Sequence, residues 1–97
     1  MRVIFTQAAL KDLDDILNYL QTNFPTLIGP FERRVQAIVT RSSKWPESAP
    51  LTKERPGLRA ASLVRYPYRI FYRVTDEAIE IIRIRHTSQR SLDEGPE

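Results

Sequence analysis

The chain has no cysteine, so neither a disulfide framework nor a thiolate metal site is open to it. It has one histidine, which excludes any metal centre built on paired imidazoles. Its three glycines are scattered, and no glycine-rich phosphate loop is present. No apolar run approaches the roughly 18 residues of a membrane helix, and the apolar start Val3-Ile4-Phe5 is too short for a secretory leader. These absences predict a soluble, cytoplasmic protein with no membrane partner, no metal and no cofactor.

What is present is a chain of 97 residues with an ordinary globular mix, 41% hydrophobic and 28% charged. That length supports a single core. We expect one domain over residues 1–90 and a loose polar tail over 91–97. The net charge is only +3, but it is unevenly placed. From Lys53 to Arg90 nine basic residues face four acids, and arginine outnumbers lysine twelve to three in the chain. Arginine favours planar, two-pronged contact with phosphate or carboxylate. The partner this suggests is a nucleic acid or an acidic polypeptide; a solvated basic face is the plain alternative.

Val3-Ile4-Phe5 reads as a short strand. Thr6 stands where an N-cap belongs, and Leu10, Leu13, Ile16/Leu17, Leu20 and Phe24 follow at helical steps. Pro25 stops that helix. A second helix begins near Leu27–Gly29, because Pro30 is tolerated only in a first turn. Its inner stripe is Phe31, Val35, Ile38, Val39 and Ser42, with Trp45 near its end. The short connection predicts an antiparallel helical hairpin. Pro46, Pro50 and Pro56 then mark a loop. Leu58–Val64, Tyr68–Val74 and Ile79–His86 read as strands, the last two as a hairpin. The order β-α-α-β-β-β predicts an α+β, two-layer domain, with the helical hairpin on one face of a mostly antiparallel sheet.

Side-chain alternation divides the last hairpin. A three-residue turn, Asp76–Ala78, pairs Tyr72 with Ile82, Ile70 with Ile84, Arg69 with Arg85 and Phe71 with Arg83. It leaves one apolar face for the helices and one arginine face. A two-residue turn would set Arg83 opposite Ile70 and mix the faces, so the longer turn is expected. Arginines opposite one another call for an anionic partner.

His86 ends the last strand in IRIRHTSQR, on the Tyr68 side. It fits a strand-end histidine packed at the core edge. It also fits an acid or base for metal-free RNA cleavage, with Arg65, Arg85 and Arg90 stabilising phosphorane charge. Tyr66, Tyr68 and Tyr72 are candidates for base stacking or for the core.

Four segments in order, FTQAALKDLDDILNYL, FERRVQAI…WPES, GLRAASLVRYPYRIFYRV and IEIIRIRHTSQR, resemble the RelE/ParE toxins of type II toxin–antitoxin systems. The resemblance spans Val3 to about Arg90. It implies a helical hairpin on an antiparallel sheet, and a toxin neutralised by a cognate antitoxin with a ribbon-helix-helix DNA-binding part and an acidic C-terminal segment. The arginine face, Arg69, Phe71, Arg73, Arg83 and Arg85, is the expected antitoxin-binding surface. RelE-like members cut messenger RNA on the ribosome without metal, whereas ParE-like members inhibit DNA gyrase. For a ribonuclease the candidate residues are Lys53, Arg65, Arg85, His86 and Arg90. The third and fourth segments look more ParE-like, so gyrase inhibition is the expected activity. The alternatives are a RelE-like ribonuclease and a non-toxic antitoxin-binding member.

Overall fold

The computed structural model describes residues 1–53 and 55–88. The expected tail over 91–97 and Arg90 lie outside the described residues. The elements are β1 (Arg2–Phe5), α1 (Gln7–Asn23), a 3-10 turn (Pro25–Leu27), α2 (Ile28–Lys44), β2 (Leu58–Ser62), β3 (Tyr68–Val74) and β4 (Ala78–His86). This is the expected two-layer α+β order. The sheet runs β1-β4-β3-β2, with β1 parallel to β4 and the other pairs antiparallel.

Thr6 is the N-cap of α1. Its backbone is extended (φ −69°, ψ 164°), and its hydroxyl accepts the Ala9 N–H at 3.1 Å. The same hydroxyl donates to the Ile82 carbonyl at 3.0 Å, so one threonine both caps the helix and fixes it to β4. The buried stripe of α1 is Ala9, Ile16 and Leu20, with Leu13 and Leu17 packed beside it. The expected stripe was wrong at both ends: Leu10 is 51% exposed and Phe24 49% exposed. Ala9 takes the first contact because its missing bulk lets the helix approach β4. Phe24 has already left helical geometry (φ −147°) ahead of Pro25.

Pro30 lies in the first turn of α2, where its missing N–H costs nothing. Phe31, Val35, Ile38 and Ser42 are buried along the inner face as expected. The following loop lays Pro50–Thr52 along β2. Leu51 bridges Arg59, Thr52 N–H donates to the Leu58 carbonyl at 2.7 Å, and Ala60 N–H donates to that of Pro50 at 3.1 Å. Arg59, counted among the basic residues, holds this loop by donating to the Ala49 carbonyl at 2.7 Å. Gly57 (φ +77°) turns the chain into β2, a conformation a side chain would strain. β2 ends at Ser62 rather than Val64, although Leu63 N–H still reaches the Tyr68 carbonyl at 3.0 Å.

The last hairpin corrects the expected register. Next to the turn, Val74 pairs with Ile79 and Tyr72 with Ile81, not Ile82. Thr75 and Ala78 close the turn through Thr75 N–H to the Ala78 carbonyl (2.9 Å), leaving Asp76 and Glu77 as a two-residue tip. A bulge at Ile82 then shifts the ladder by one, and Phe71–Arg83, Ile70–Ile84 and Arg69–Arg85 pair as expected. Both registers are therefore present, one on each side of the bulge. The physical reason is the core: Ile79 and Ile81 precede the bulge, Ile84 follows it, and only an extra residue lets an odd-numbered and an even-numbered set face the same helices.

Tyr72 is fully buried, and its hydroxyl donates to the Pro46 carbonyl at 2.9 Å, tying the α2–β2 loop to the sheet centre. No helix among the described residues is long and apolar enough to cross a membrane.

Candidate functional site

A depression of about 720 Å³ lies where the tip of the helical hairpin meets the ends of β3 and β4. Tyr19, Phe24, Leu27, Pro30 and Arg34 come from the hairpin, Arg65 and Tyr66 from the turn between β2 and β3, and Tyr68 and His86 from the strands. Phe31 forms the base. It is fully buried and meets Tyr66 and Tyr68 edge-on, at centroid distances of 5.7 and 5.8 Å. Tyr68 in turn meets His86 edge-on at 5.3 Å. The groove is thus floored by aromatic rings, carries Arg34 and Arg65, and has no acid among the described residues that line it.

Burial pushes the Tyr68 hydroxyl above the ordinary tyrosine pKa of 10.0, and the nearby Tyr19 adds to this. Arg65 has a left-handed backbone (φ +71°), a conformation that costs a non-glycine residue about 1–2 kcal/mol. The turn between β2 and β3 therefore places a strained cation on the groove.

His86 Nδ1 accepts the Ser88 backbone N–H at 3.0 Å and lies 2.7 Å from the Ser88 hydroxyl. A backbone amide can only donate, so in the neutral ring the proton sits on Nε2. The nitrogen with a lone pair is the one already bonded to Ser88. The ring is set up to donate from Nε2 rather than to take a proton there.

The ribonuclease candidates do not all meet. Arg65 and His86 share the groove. Arg85 pairs with Arg69 across the ladder and is 8% exposed. Strand alternation turns it to the opposite face of the sheet from His86. Lys53 lies beside Arg69 in a hollow with Pro50 and Ser62. Arg90 is outside the described residues.

The outer sheet face, away from the helices, carries a second small apolar cluster of Leu58 and Phe71, edged by Ala60 and Ile82. The Arg69 guanidinium stacks over Phe71, 4.9 Å from its centroid. Arg73 donates to Glu80 from Nε (3.0 Å) and a terminal nitrogen (2.6 Å). Arg83 is held elsewhere: its Nε and a terminal nitrogen reach the Asp12 carboxylate on α1 at 2.8 and 3.1 Å. Asp12 also accepts the Ile84 N–H at 2.9 Å, satisfying β4 where β1 no longer covers it.

Sequence reasoning missed the hairpin-tip contribution to the groove. Phe24 and Leu27, two large apolar residues on either side of Pro25, were the available signal. No group of three or more metal-ligating side chains occurs among the described residues.

Comparison with curated proteins gives no significant match. Among solved structures, a chain described as the chromosomal ParDE toxin–antitoxin system of P. aeruginosa is 26% identical. The match covers 89% of this chain and 95% of that one, with a TM-score of 0.75. The family model for the ParE toxin of type II toxin–antitoxin systems matches residues 3–91. The aromatic groove and the arginine-bearing sheet face are therefore features of a toxin that is paired with an antitoxin: the chain belongs to the ParE toxin family.

Proposed function

We propose that this toxin arrests growth in the cytoplasm by protein contact with DNA gyrase rather than by cutting RNA. The observation that carries this reading is the state of the one histidine. The lone pair of His86 Nδ1 is taken up by Ser88, and the arrangement gives the groove no ready general base among the described residues. Arg85 and Lys53, which would have to crowd a scissile phosphate beside it, point to other surfaces. The test is supercoiling by purified gyrase with the full-length toxin. Inhibition at micromolar toxin supports the reading, and untouched supercoiling at that concentration removes it.

A second reading, ribosome-dependent cleavage of messenger RNA, draws on one specific observation. Arg65, Tyr66, Tyr68 and His86 share one groove with no acid among its described lining residues. If that reading holds, the double variant His86→Ala/Arg65→Ala loses toxicity with its fold intact, and messenger RNA is cleaved on ribosomes by the parent chain alone.

Neutralisation, on our reading, comes from an acidic antitoxin segment laid on the outer sheet face over Arg69, Phe71, Arg73, Arg83 and Arg85. The roles differ. Arg69 and Arg73 offer direct carboxylate contacts, with Arg73 exchanging Glu80 for the antitoxin. Buried Phe71 supports Arg69 from below. Arg83, already bonded to Asp12, and the largely buried Arg85 act through their positive field. Reversing Arg69 and Arg73 to Glu should raise the antitoxin dissociation constant at least tenfold at low salt.

A further inference from the structure

The strongest feature that neither the groove nor the arginine face absorbs is Trp45. We propose that the surface around Trp45 is where this toxin holds its cellular target, and that the target presents there an acidic protein surface with a slot for the indole. The proposal rests on the reading of this toxin as an inhibitor that acts by protein contact.

Trp45 follows directly on α2, and its backbone does all that the helix end requires. Its N–H donates to the Arg41 carbonyl at 2.7 Å, and its carbonyl accepts the Ser48 N–H at 2.9 Å. Any residue supplies those two bonds. The side chain is 67% exposed, the most exposed large apolar side chain among the described residues, and its indole N–H donates to none of them. The ring stands as a ridge between two hollows. One, of about 530 Å³, is lined by Pro46, Glu47, Ser48 and Val74. The other, of about 600 Å³, is lined by Arg33, Gln36, Ala37, Thr40 and Arg41. An exposed tryptophan with space on both faces has no folding role to explain it. Tryptophan is also the residue type most enriched among the anchors of protein interfaces.

The flanking charge says what kind of partner fits. Helix α2 carries Arg33, Arg34, Arg41 and Lys44 against a single acid, Glu32. Two of these arginines wall the hollow beside the indole. Glu47 is the one acid among the described residues that line the other side. A partner that seats the ring and neutralises Arg33 and Arg41 is acidic and apolar together. Pro30 at the groove and Trp45 are separated by the length of α2, about 22 Å at 1.5 Å per residue. The indole therefore stands well apart from the Pro30 end of the groove, with Arg34 of the groove and Arg33 of the hollow adjacent between them.

The test compares the full-length toxin with Trp45→Ala and with the charge reversal Arg33→Glu/Arg41→Glu, in cells and against purified gyrase. Trp45→Ala should keep the parent's unfolding midpoint and still co-purify with the co-expressed antitoxin. It should no longer arrest growth, and about thirtyfold more of it should be needed for equal inhibition of supercoiling. The charge reversal should weaken inhibition about tenfold at low salt, with the difference shrinking as salt rises. Growth arrest by Trp45→Ala at the parent level overturns the proposal, as does loss of antitoxin binding in step with loss of toxicity. If the parent arrests growth while leaving gyrase untouched, the gyrase reading fails and the growth comparison alone decides the surface.

Discussion

The Asp12 clamp gives a prediction whose size follows from the structure. One carboxylate accepts three hydrogen bonds: two from Arg83, at 2.8 and 3.1 Å, and one from the Ile84 N–H at 2.9 Å. The pair is mostly shielded, with side-chain exposures of 23% for Arg83 and 14% for Asp12. Asp12→Ala removes two hydrogen bonds from a guanidinium and one from a backbone amide at once. Breaking a fully buried pair costs about 3–5 kcal/mol, and an unsatisfied buried amide about 1–3 kcal/mol. Partial solvent access discounts both, because water reaches what the carboxylate leaves. We expect Asp12→Ala to cost about 2–4 kcal/mol, a large share of the roughly 5–15 kcal/mol typical of a domain. Asp12→Asn keeps an oxygen for Ile84 but loses the charge and turns an NH2 towards one Arg83 donor, so about 1–2 kcal/mol is expected. Urea titration of the two variants together with Arg83→Met and the Asp12→Ala/Arg83→Met double variant completes the cycle. Coupling of about 1–2 kcal/mol between the two sites should emerge. An Asp12→Ala variant within 0.5 kcal/mol of the parent, or equal to Asp12→Asn, would falsify the assignment of Asp12 as the group that closes the open stretch of β4.

Other expectations follow from single contacts. Tyr72→Phe removes the hydroxyl bonded to the Pro46 carbonyl and should cost about 1–2 kcal/mol in chemical denaturation; a cost near zero would mean that water serves the carbonyl equally well. Arg65→Gly relieves the left-handed backbone, partly offset by the greater freedom of glycine when unfolded, so stability should hold or rise by up to about 1 kcal/mol. A clear loss of stability would show that the Arg65 side chain supports the turn. Tyr68 holds its proton to higher pH when folded than when unfolded, so its contribution is whole below pH 10.0 and declines as pH rises through its folded value. The stability of the parent should fall relative to Tyr68→Phe as pH rises from 10.0 towards that folded value, and parallel curves from pH 9 to 11.5 would refute the shift.

Much of the fold was legible because its signals are local. The helices announce themselves through three- and four-residue spacing, and Pro25 and Pro30 set the break between them. The segment YRIFYRV is a strand by composition alone. The register of the last hairpin was not legible, because β4 offers isoleucines at both parities: 79 and 81, then 82 and 84. Either set satisfies alternation, and only the helices packed above select Ile79, Ile81 and Ile84. The arginine face was partly legible. Arg69 and Arg85 face one another as alternation requires, but Arg83 is claimed by Asp12, 71 residues earlier in the chain, which no local pattern reports. Leu10 and Ala9 show the same limit, since helical spacing identifies a stripe to within one residue and the sheet decides which edge of it is buried.

The place of β4 in the sheet has a kinetic consequence. It lies between β1 and β3 and beneath α1, yet it is the last of the described elements to be made. Until it joins, β1 has no strand to pair with, because its partners at Arg2–Phe5 lie at Ala78–Ile81. Closing so long a loop is slow, since the entropy of the intervening chain is lost before any contact repays it. The arginine ladder and the groove at His86 form with that same closure. A newly made chain should therefore pass through a period in which its helical hairpin is formed but the arginine ladder and the groove are not.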